Sequence, residues 1–499
     1  MNAEKLFLGI DIGGTNIKAC IFDAKGSMIS RASCSTPVFS PAAGFYERRP
    51  EDIRKLTFEV IREAIGKAPE GTAESIIAVG TTGHGKGLYL IHGDGGEALP
   101  AIASTDSRAA DIVNGWYECG IGQKAAKLNM QTTLACQPPS LLYWLKKNDP
   151  ASYSRIKYVL EAKDYLRYIL TGALYTEYTD ASGTALMNLH TKEYDRELFA
   201  LYGIEEMFDC MPPLRRSTDA CGAVTKEAAE QTGLKEGNVV SGGMFDIDAC
   251  ALAMGVVGPE PLCVITGTWS INEYLSPEPL PEAASVNHSL FCLPEFYLIE
   301  ESSATSAGNL DAVLSEIMGD EHPDYRAIDA AVEKTAPEDH DILFYPFMYG
   351  TNSASLRNAA WLNLRSGAGR GAVLRSVFEG VIFSHNYHIN RLLKNRPSKP
   401  ELIRAGGGGA VSAVWMQMLA DVTGIKVEAM SGSEPGAMGA AMAAAVCAGR
   451  FEDLASAADN MLRPGKVFVP DPARHAVYSK KYDKYISALK VLEQLKGII

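Results

Sequence analysis

Residues 6–23, Leu-Phe-Leu-Gly-Ile-Asp-Ile-Gly-Gly-Thr-Asn-Ile-Lys-Ala-Cys-Ile-Phe-Asp, constrain this chain more than any other stretch. An apolar run ends in Asp11, Gly13, Gly14 and Thr15, and a second apolar run begins almost at once. The gap is too short for a crossover helix, so the segment reads as two antiparallel strands joined by a tight turn. Gly13 and Gly14 remove side chains where backbone N–H groups could turn toward a phosphate. Asp11 can hold a hydrated Mg²⁺, Thr15 can donate a hydroxyl, and Lys18 can balance phosphate charge. An ordinary hairpin also uses an Asp and glycines in its turn, so the motif gains weight only from similar turns downstream.

The hairpin continues through Ala24-Lys25-Gly26 into a third strand near 28–35. Helical periodicity follows over 50–67, with Glu51 and Asp52 in its first turn. A buried strand over 76–82 leads into Gly83-His84-Gly85-Lys86-Gly87, and helical stretches are expected over 107–117, 139–148 and 162–170. An apolar strand over 239–243 runs into Met244-Phe245-Asp246. Beyond Gly255 the pattern restarts, with a strand over 262–266, the turn Gly267-Thr268 and a return strand over 269–275. Two α/β halves that open alike indicate an internal duplication, with domains expected at 1–255 and 256–499. No low-complexity linker marks the join, so the halves are expected to pack together around a cleft.

At 499 residues the chain is too long for one ordinary core. Its 46% hydrophobic and 21% charged residues are those of a soluble globular protein. A net charge of −13 argues against a nucleic-acid partner, although local backbone dipoles can still bind a small phosphate ligand. The start of the chain shows no signal-peptide pattern, and no apolar stretch has membrane-spanning length. Ten scattered cysteines without a C-x-x-C pair suggest free thiols in a cytoplasmic protein and make a zinc site unlikely to be encoded.

Two further turns match the first in character. Thr266-Gly267-Thr268 follows a strand. Gly406-Gly407-Gly408-Gly409 lies between an expected strand over 401–404 and a helix over 414–421. Four glycines in a row cost about 0.5–1 kcal/mol each in regular structure, so something should approach that backbone closely, and a flat adenine–ribose fits. No G-x-x-x-x-G-K-[ST] loop occurs, and the spacing Gly9–Gly14 is wrong for a dinucleotide fingerprint. Asp246, just past a strand end, can serve as a general base, cap the helix that follows, or do both. Asp248, two residues on, competes for the role. His84 and Lys86 flank glycines as a polyol-binding loop requires. Asp106 offers an acceptor to sugar hydroxyls, or the cap of a following helix, and Asn309 is ambiguous in the same way.

On these residues the chain resembles the FGGY family of carbohydrate kinases over nearly its whole length, and within it the L-xylulose kinase branch. The 11–18 turn is similar to the family's first phosphate motif, and 266–270 to its second. The run 406–409 with Trp415, Gln417, Ala420 and Asp421 resembles its adenosine motif. Gly436-Ala437-Met438-Gly439-Ala440-Ala441 matches its closing helix. Branch-level likeness lies in Gly85-Lys86-Gly87-Leu88, in 139–145, in Met244-Phe245-Asp246, and in Ser384-His385. The resemblance implies an α/β fold of two actin-like ATPase (ribonuclease H-like) domains with an interdomain cleft, the first binding sugar and the second nucleotide. It implies ATP and Mg²⁺ as cofactors, with Asp11 helping to hold the metal. Gly13, Gly14, Thr15, Lys18, Gly267, Thr268 and Gly308 would contact phosphates, and Gly407 and Gly408 the nucleoside. Asp246 would take the proton from the attacking hydroxyl, with His84, Lys86, Asp106 and Asn309 lining the sugar.

The expected reaction is phosphorylation of a primary hydroxyl of a ketopentose, L-xylulose first. Another ketose or polyol such as D-xylulose is the alternative, because the branch commonly carries Gln at the His84 position. Two further departures, Ser366 to Arg370 where many members carry a His and Leu141 where a signature lysine stands, also bear on the substrate. An actin-like nucleotide switch without sugar kinase activity is the reading from a different class. A glucokinase of the repressor-related class fits less well, since it carries a clustered-cysteine motif. A homodimer is the base-rate expectation.

Overall fold

The computed structural model describes residues 5–93, 99–267, 269–281, 286–350, 358–430, 432 and 434–494. Two compact units emerge. The first comprises Met1–Val257, Ser276–Leu298 and Glu434–Leu462, and the second Gly258–Leu275, Ile299–Ser433 and Arg463–Ile499. Each unit therefore draws on more than one stretch of chain, and the segment 434–462 folds with the N-terminal sheet.

The sheet of the first unit is built on β1 (Leu6–Ile12), β2 (Asn16–Asp23), β3 (Met28–Ser35), β4 (Ile76–Gly83), β5 (Ala220–Ala223), β6 (Val239–Ser241) and β7 (Met244–Phe245). Its order is β5-β6-β4-β1-β2-β3, with β7 also pairing with β4. β1 is antiparallel to β2 and parallel to β4, and this register sets Asp11 opposite Lys18 on one side and Thr82 on the other. A strand paired on both edges and covered on both faces needs a long apolar run, and β1 supplies one up to Asp11. On one face the helix Pro50–Lys67 starts with proline at its first turn, carries Glu51 and Asp52 there, and buries Ile53, Phe58 and Ile61 against Leu8, Ile10 and Ile21.

The other face is covered by the helix Pro435–Cys447, made of little but alanine, glycine and methionine. Small residues let its backbone lie almost on the sheet. A Cβ added at Gly9 would stand 1.8 Å from the Ala437 carbonyl oxygen, and one at Gly80 would stand 1.9 Å from that of Ala440. Its own Gly439 packs as tightly on Ala249 of the helix Asp246–Ala253.

The second unit repeats the plan with β8 (Leu262–Thr266), β9 (Ser270–Ser276), β10 (Tyr297–Ser303), β11 (Leu402–Gly406), β12 (Lys426–Ala429) and β13 (Lys466–Phe468), in the order β10-β9-β8-β11-β12-β13. β8 is antiparallel to β9 and parallel to β11, as β1 is to β2 and β4. The expected duplication is thus visible in the pairing. All ten cysteines are free. Among the described residues no helix is long and apolar enough to cross a membrane.

Because the Gly80 site has no room for even one methyl, Gly80→Ala should lower unfolding free energy by about 1–3 kcal/mol or more. Urea titration checks this, and an unchanged midpoint would contradict the packing described.

Candidate active site

The turn between β1 and β2 is drawn tight by the Gly13 N–H donating to the Asn16 carbonyl at 2.9 Å. Neither Gly13 nor Gly14 has positive φ, and a Cβ added at Gly14 would meet nothing within 4 Å. The protein itself therefore does not demand a glycine at 14, and the bare backbone is left for something else to approach. Buried Arg48 anchors the turn from below, its guanidinium donating to the Gly13 carbonyl at 3.3 Å and to that of Gly14. Thr15 is exposed, and its hydroxyl oxygen accepts from Asn16 at 3.0 Å.

Asp11 sits at the end of β1, where its Oδ1 is buried without a hydrogen-bond partner. A Cβ at Gly436 would come within 2.8 Å of its Oδ2, so that glycine makes room for the carboxylate. Burial, with Glu434 adding repulsion and Lys18 opposing, pushes the Asp11 carboxyl up to about 6. Lys18 pairs with Glu434 at 2.8 Å, and Arg31 pairs with the same carboxylate at 2.7 Å. Burial disfavours the Lys18 ammonium, but Glu434 and Asp11 outweigh it and hold its pKa above the ordinary value. Glu434, just before a helix some 400 residues away in sequence, was not singled out in the sequence; the closing helix motif two residues on was its only signal.

Asp246 opens the helix Asp246–Ala253, where Phe245 rather than Asp246 is the cap. It is half-buried. Burial, then the charges of Asp11 and Asp180, raise its carboxyl well above the usual range, while Lys86 and the Ile247 N–H pull it down. Asp248 is fully buried and accepts the Cys292 N–H at 3.1 Å. Of the two carboxylates, Asp246 is the one with exposed surface.

Beneath this site lies a buried charge cluster that sequence reading did not find. Lys163 pairs with Asp164 at 2.7 Å and lies 3.4 Å from Asp180 and 3.9 Å from Glu177. Arg167 pairs with Asp164 at 3.0 Å. Burial and neighbouring acids raise Asp180 to about 7 despite Lys163. Its two oxygens have no hydrogen-bond partner. Its signals in the sequence were the run of charged residues inside apolar stretches at 161–167 and 177–180, and the likeness of 163–166 to the L-xylulose kinase branch.

The expected sugar contacts divide. Lys86 stands at φ 66°, a left-handed conformation unusual for lysine, between Gly85 and Gly87. His84 is buried, with Nε2 3.2 Å from the Tyr89 hydroxyl and Nδ1 3.4 Å from the Gly85 carbonyl, and burial beside Arg48 lowers it to about 3. It is a neutral, internally bonded ring. Asp106 is buried too, accepting the Tyr46 N–H at 2.7 Å and gripping Arg108 through both oxygens at 2.9–3.1 Å. Arg108 packs on the T-shaped pair Phe45 and Trp144 and bridges to Glu47 at 2.8 Å. The following helix starts only at Ala110, so Asp106 does not cap it. Asp106 thus holds this loop together.

In the second unit, Asn309 is fully buried and wholly bonded to backbone, donating to Ala304 and Ser306 and accepting the Met348 N–H at 3.0 Å. Gly308 opens the helix Gly308–Ala312. The glycine run splits by cause: Gly407 has φ 89° and, like Gly409, a Cβ there would stand 2.9 Å from Thr266 atoms. Gly408 and Gly267 have neither constraint, as their nearest contacts would be 4.0 and 3.8 Å away. Thr268 lies outside the described residues. Buried His385 ties this region together, contacting Ser270 at 2.9 Å, Asn272 at 3.0 Å and Ser306 at 2.9 Å.

Models of the two domains of the FGGY family of carbohydrate kinases match the chain, the N-terminal domain over residues 6–253 and the C-terminal domain over 262–448. The chain belongs to the FGGY family of carbohydrate kinases. It is 35% identical over 494 residues to a probable L-xylulose kinase of Haemophilus influenzae, covering 99% of each. It is 34% identical to the L-xylulose/3-keto-L-gulonate kinase of Escherichia coli, covering 98% of this chain and 97% of that one. Its fold superposes on a ligand-bound xylulose kinase from Lactobacillus acidophilus with a TM-score of 0.89 at 21% identity, over 98% of both chains. This carbohydrate kinase therefore has the two-domain α/β fold of its family, and ATP and a sugar are the substrates that membership implies.

For this kinase, Asp106→Asn should behave as a fold defect, because it leaves a buried arginine with only part of its compensation. A loss of about 3 kcal/mol is expected by denaturant titration. Unchanged stability with a raised sugar KM would instead mark Asp106 as a substrate contact.

Proposed function

We propose that this kinase transfers the γ-phosphoryl group of ATP to a primary hydroxyl of a ketopentose, with L-xylulose the first candidate. The observation that carries the reading is Asp246, a half-buried carboxylate of raised proton affinity at a helix start, in electrostatic reach of the phosphate-turn acid Asp11. Phosphoryl transfer asks little covalent chemistry of a protein beyond positioning, charge neutralisation and one base. Asp246 is the group we assign to take the hydroxyl proton, and a raised carboxyl is the stronger acceptor for it. The charge of Lys86 opposes that rise. The N–H groups of Gly14 and Thr15 would hold phosphate oxygens, with Gly13 closing the turn that presents them, Lys18 as counter-charge and Glu434 fixing the lysine's position.

Asp11 fits a hydrated magnesium ion, because its buried Oδ1 has no other partner. Mg²⁺ held there would neutralise phosphate charge and relieve the repulsion that Asp11 exerts on Asp246. In the second unit, Gly267, Thr268, Gly308, Gly407 and Gly408 are assigned to the nucleotide; the open space at Gly267 and Gly408 supports this. We assign the sugar to the domain expected at 1–255, whose 11–18 turn also meets the phosphates, and the nucleoside to the domain expected at 256–499. Ten free thiols support a reducing cytoplasm, and a homodimer is the proposed assembly.

The choice of L-xylulose follows the names of the curated relatives, since His84 and Asp106 are turned inward and leave few side chains that read the sugar. Coupled ADP release across L-xylulose, D-xylulose, other pentuloses, hexuloses and polyols tests it. The expected result is sugar-dependent release with kcat/KM for L-xylulose at least about tenfold above its epimers, the discrimination that one hydroxyl contact supports. Release indifferent to every sugar would mark a nucleotide switch, and a preference for another ketose would move the substrate. Asp11→Asn should raise the Mg²⁺ concentration for half-maximal rate by about tenfold, the effect of one lost charge-assisted contact.

A further inference from the structure

Among the described residues no side chain clamps Asp246, so its aim depends on the two residues before it. β7 (Met244–Phe245) is held by hydroxyls on both sides. The Thr82 hydroxyl donates to the Met244 carbonyl at 2.8 Å, and the Thr179 hydroxyl oxygen accepts the Phe245 N–H at 2.8 Å. That oxygen is itself oriented. The Thr179 hydroxyl hydrogen goes to Glu177 Oε2 at 2.7 Å, which leaves a lone pair for Phe245. Glu177 is fixed in turn, since its Oε1 accepts the Ser217 hydroxyl at 2.7 Å and the Thr179 N–H at 3.1 Å. All these side chains are buried. The Phe245 ring is equally confined, as a Cβ at Gly85 would stand 2.5 Å from it.

We propose that Thr179 is a positioning residue for the transfer reaction, its hydroxyl setting the Phe245 main chain and through it the direction of the Asp246 carboxylate. The inference rests on Asp246 being the base. Thr179 touches neither substrate; its effect is on where Asp246 points. Misplacing a reacting group by about 1 Å can cost about 10²-fold in rate while binding is kept.

The test is a cycle of Thr179→Val, Thr179→Ser and Asp246→Asn in the full chain, assayed with L-xylulose, ATP and Mg²⁺. Thr179→Val keeps the shape and loses the hydroxyl, so kcat should fall about 10–100-fold with both KM values within about threefold. Thr179→Ser should restore kcat to within about threefold of wild type. Added to Asp246→Asn, Thr179→Val should cost less than about twofold more, because the group it aims is already disabled. An equal loss in both backgrounds, or a serine variant as slow as the valine one, overturns the proposal. Near-wild-type turnover by Asp246→Asn overturns the base assignment and this inference together. Full turnover by Thr179→Val beside a disabled Asp246→Asn overturns this inference alone. Should Thr179→Val fail to fold, as judged by thermal melting, Thr179→Ala takes its place and the same outcomes decide.

Discussion

The pairing of β1 with β2 on one side and β4 on the other is the constraint on which the rest of the first unit depends. Main-chain hydrogen bonds fix its register residue by residue, and a slip of one position would turn Asp11 to the opposite face. With the register set, Asp11 stands at the strand end beside Lys18 and Thr82. β7 then extends the same row, pairing Met244 with Thr82 and Phe245 with Gly83, and delivers Asp246 next to it. The acid on the phosphate turn and the acid assigned as base are thus placed by one sheet. The glycine–alanine helix completes the arrangement, since only glycines at 9 and 80 let it lie close enough to bring Glu434 to Lys18.

The charge cluster below the site works against the hydrophobic logic around it. Glu161, Asp164, Glu177 and Asp180 are all buried, and among the described residues Lys163 and Arg167 are the cations that pair with them. Burying ions costs several kcal/mol each, and such pairs rarely add net stability. The Lys163 ammonium is nonetheless held well above its ordinary pKa; burial opposes the charge, but Asp164, Asp180 and Glu177 prevail. Asp164 stays below the carboxylate range because Lys163 and Arg167 overcome its burial. What the cluster provides is direction. Glu177 orients Thr179, and Arg167 donates to the Gly242 carbonyl at 2.6 Å, just ahead of Asp246.

Much of this was legible in the sequence because it is local. The hairpin, the helix Pro50–Lys67, the strand Leu262–Thr266 and the repeat of the strand–turn–strand plan follow from apolar periodicity and turn glycines. The two-domain kinase fold was legible from motifs spread along the whole chain. What escaped was long-range pairing of polar groups. Arg48 under the first turn, Glu434 on Lys18 and Thr179 on Phe245 join residues 34 to 416 positions apart, and periodicity carries no record of such partners. The same gap hid the internal bonds of His84, Asp106 and Asn309. Each is a polar residue in a glycine- or serine-rich loop, which suits a ligand contact, and each also bonds to its own fold.

The central claim is that Asp246 acts in the chemical step and not in binding. Rapid-quench single-turnover measurement of phosphoryl transfer from ATP to L-xylulose by Asp246→Asn, with nucleotide and sugar affinities measured on the same variant, tests it most directly. Transfer slowed by about 10²–10⁴-fold with both affinities within a few-fold of wild type is the result predicted. Transfer at the wild-type rate, or a loss that appears only as weaker binding, would contradict it.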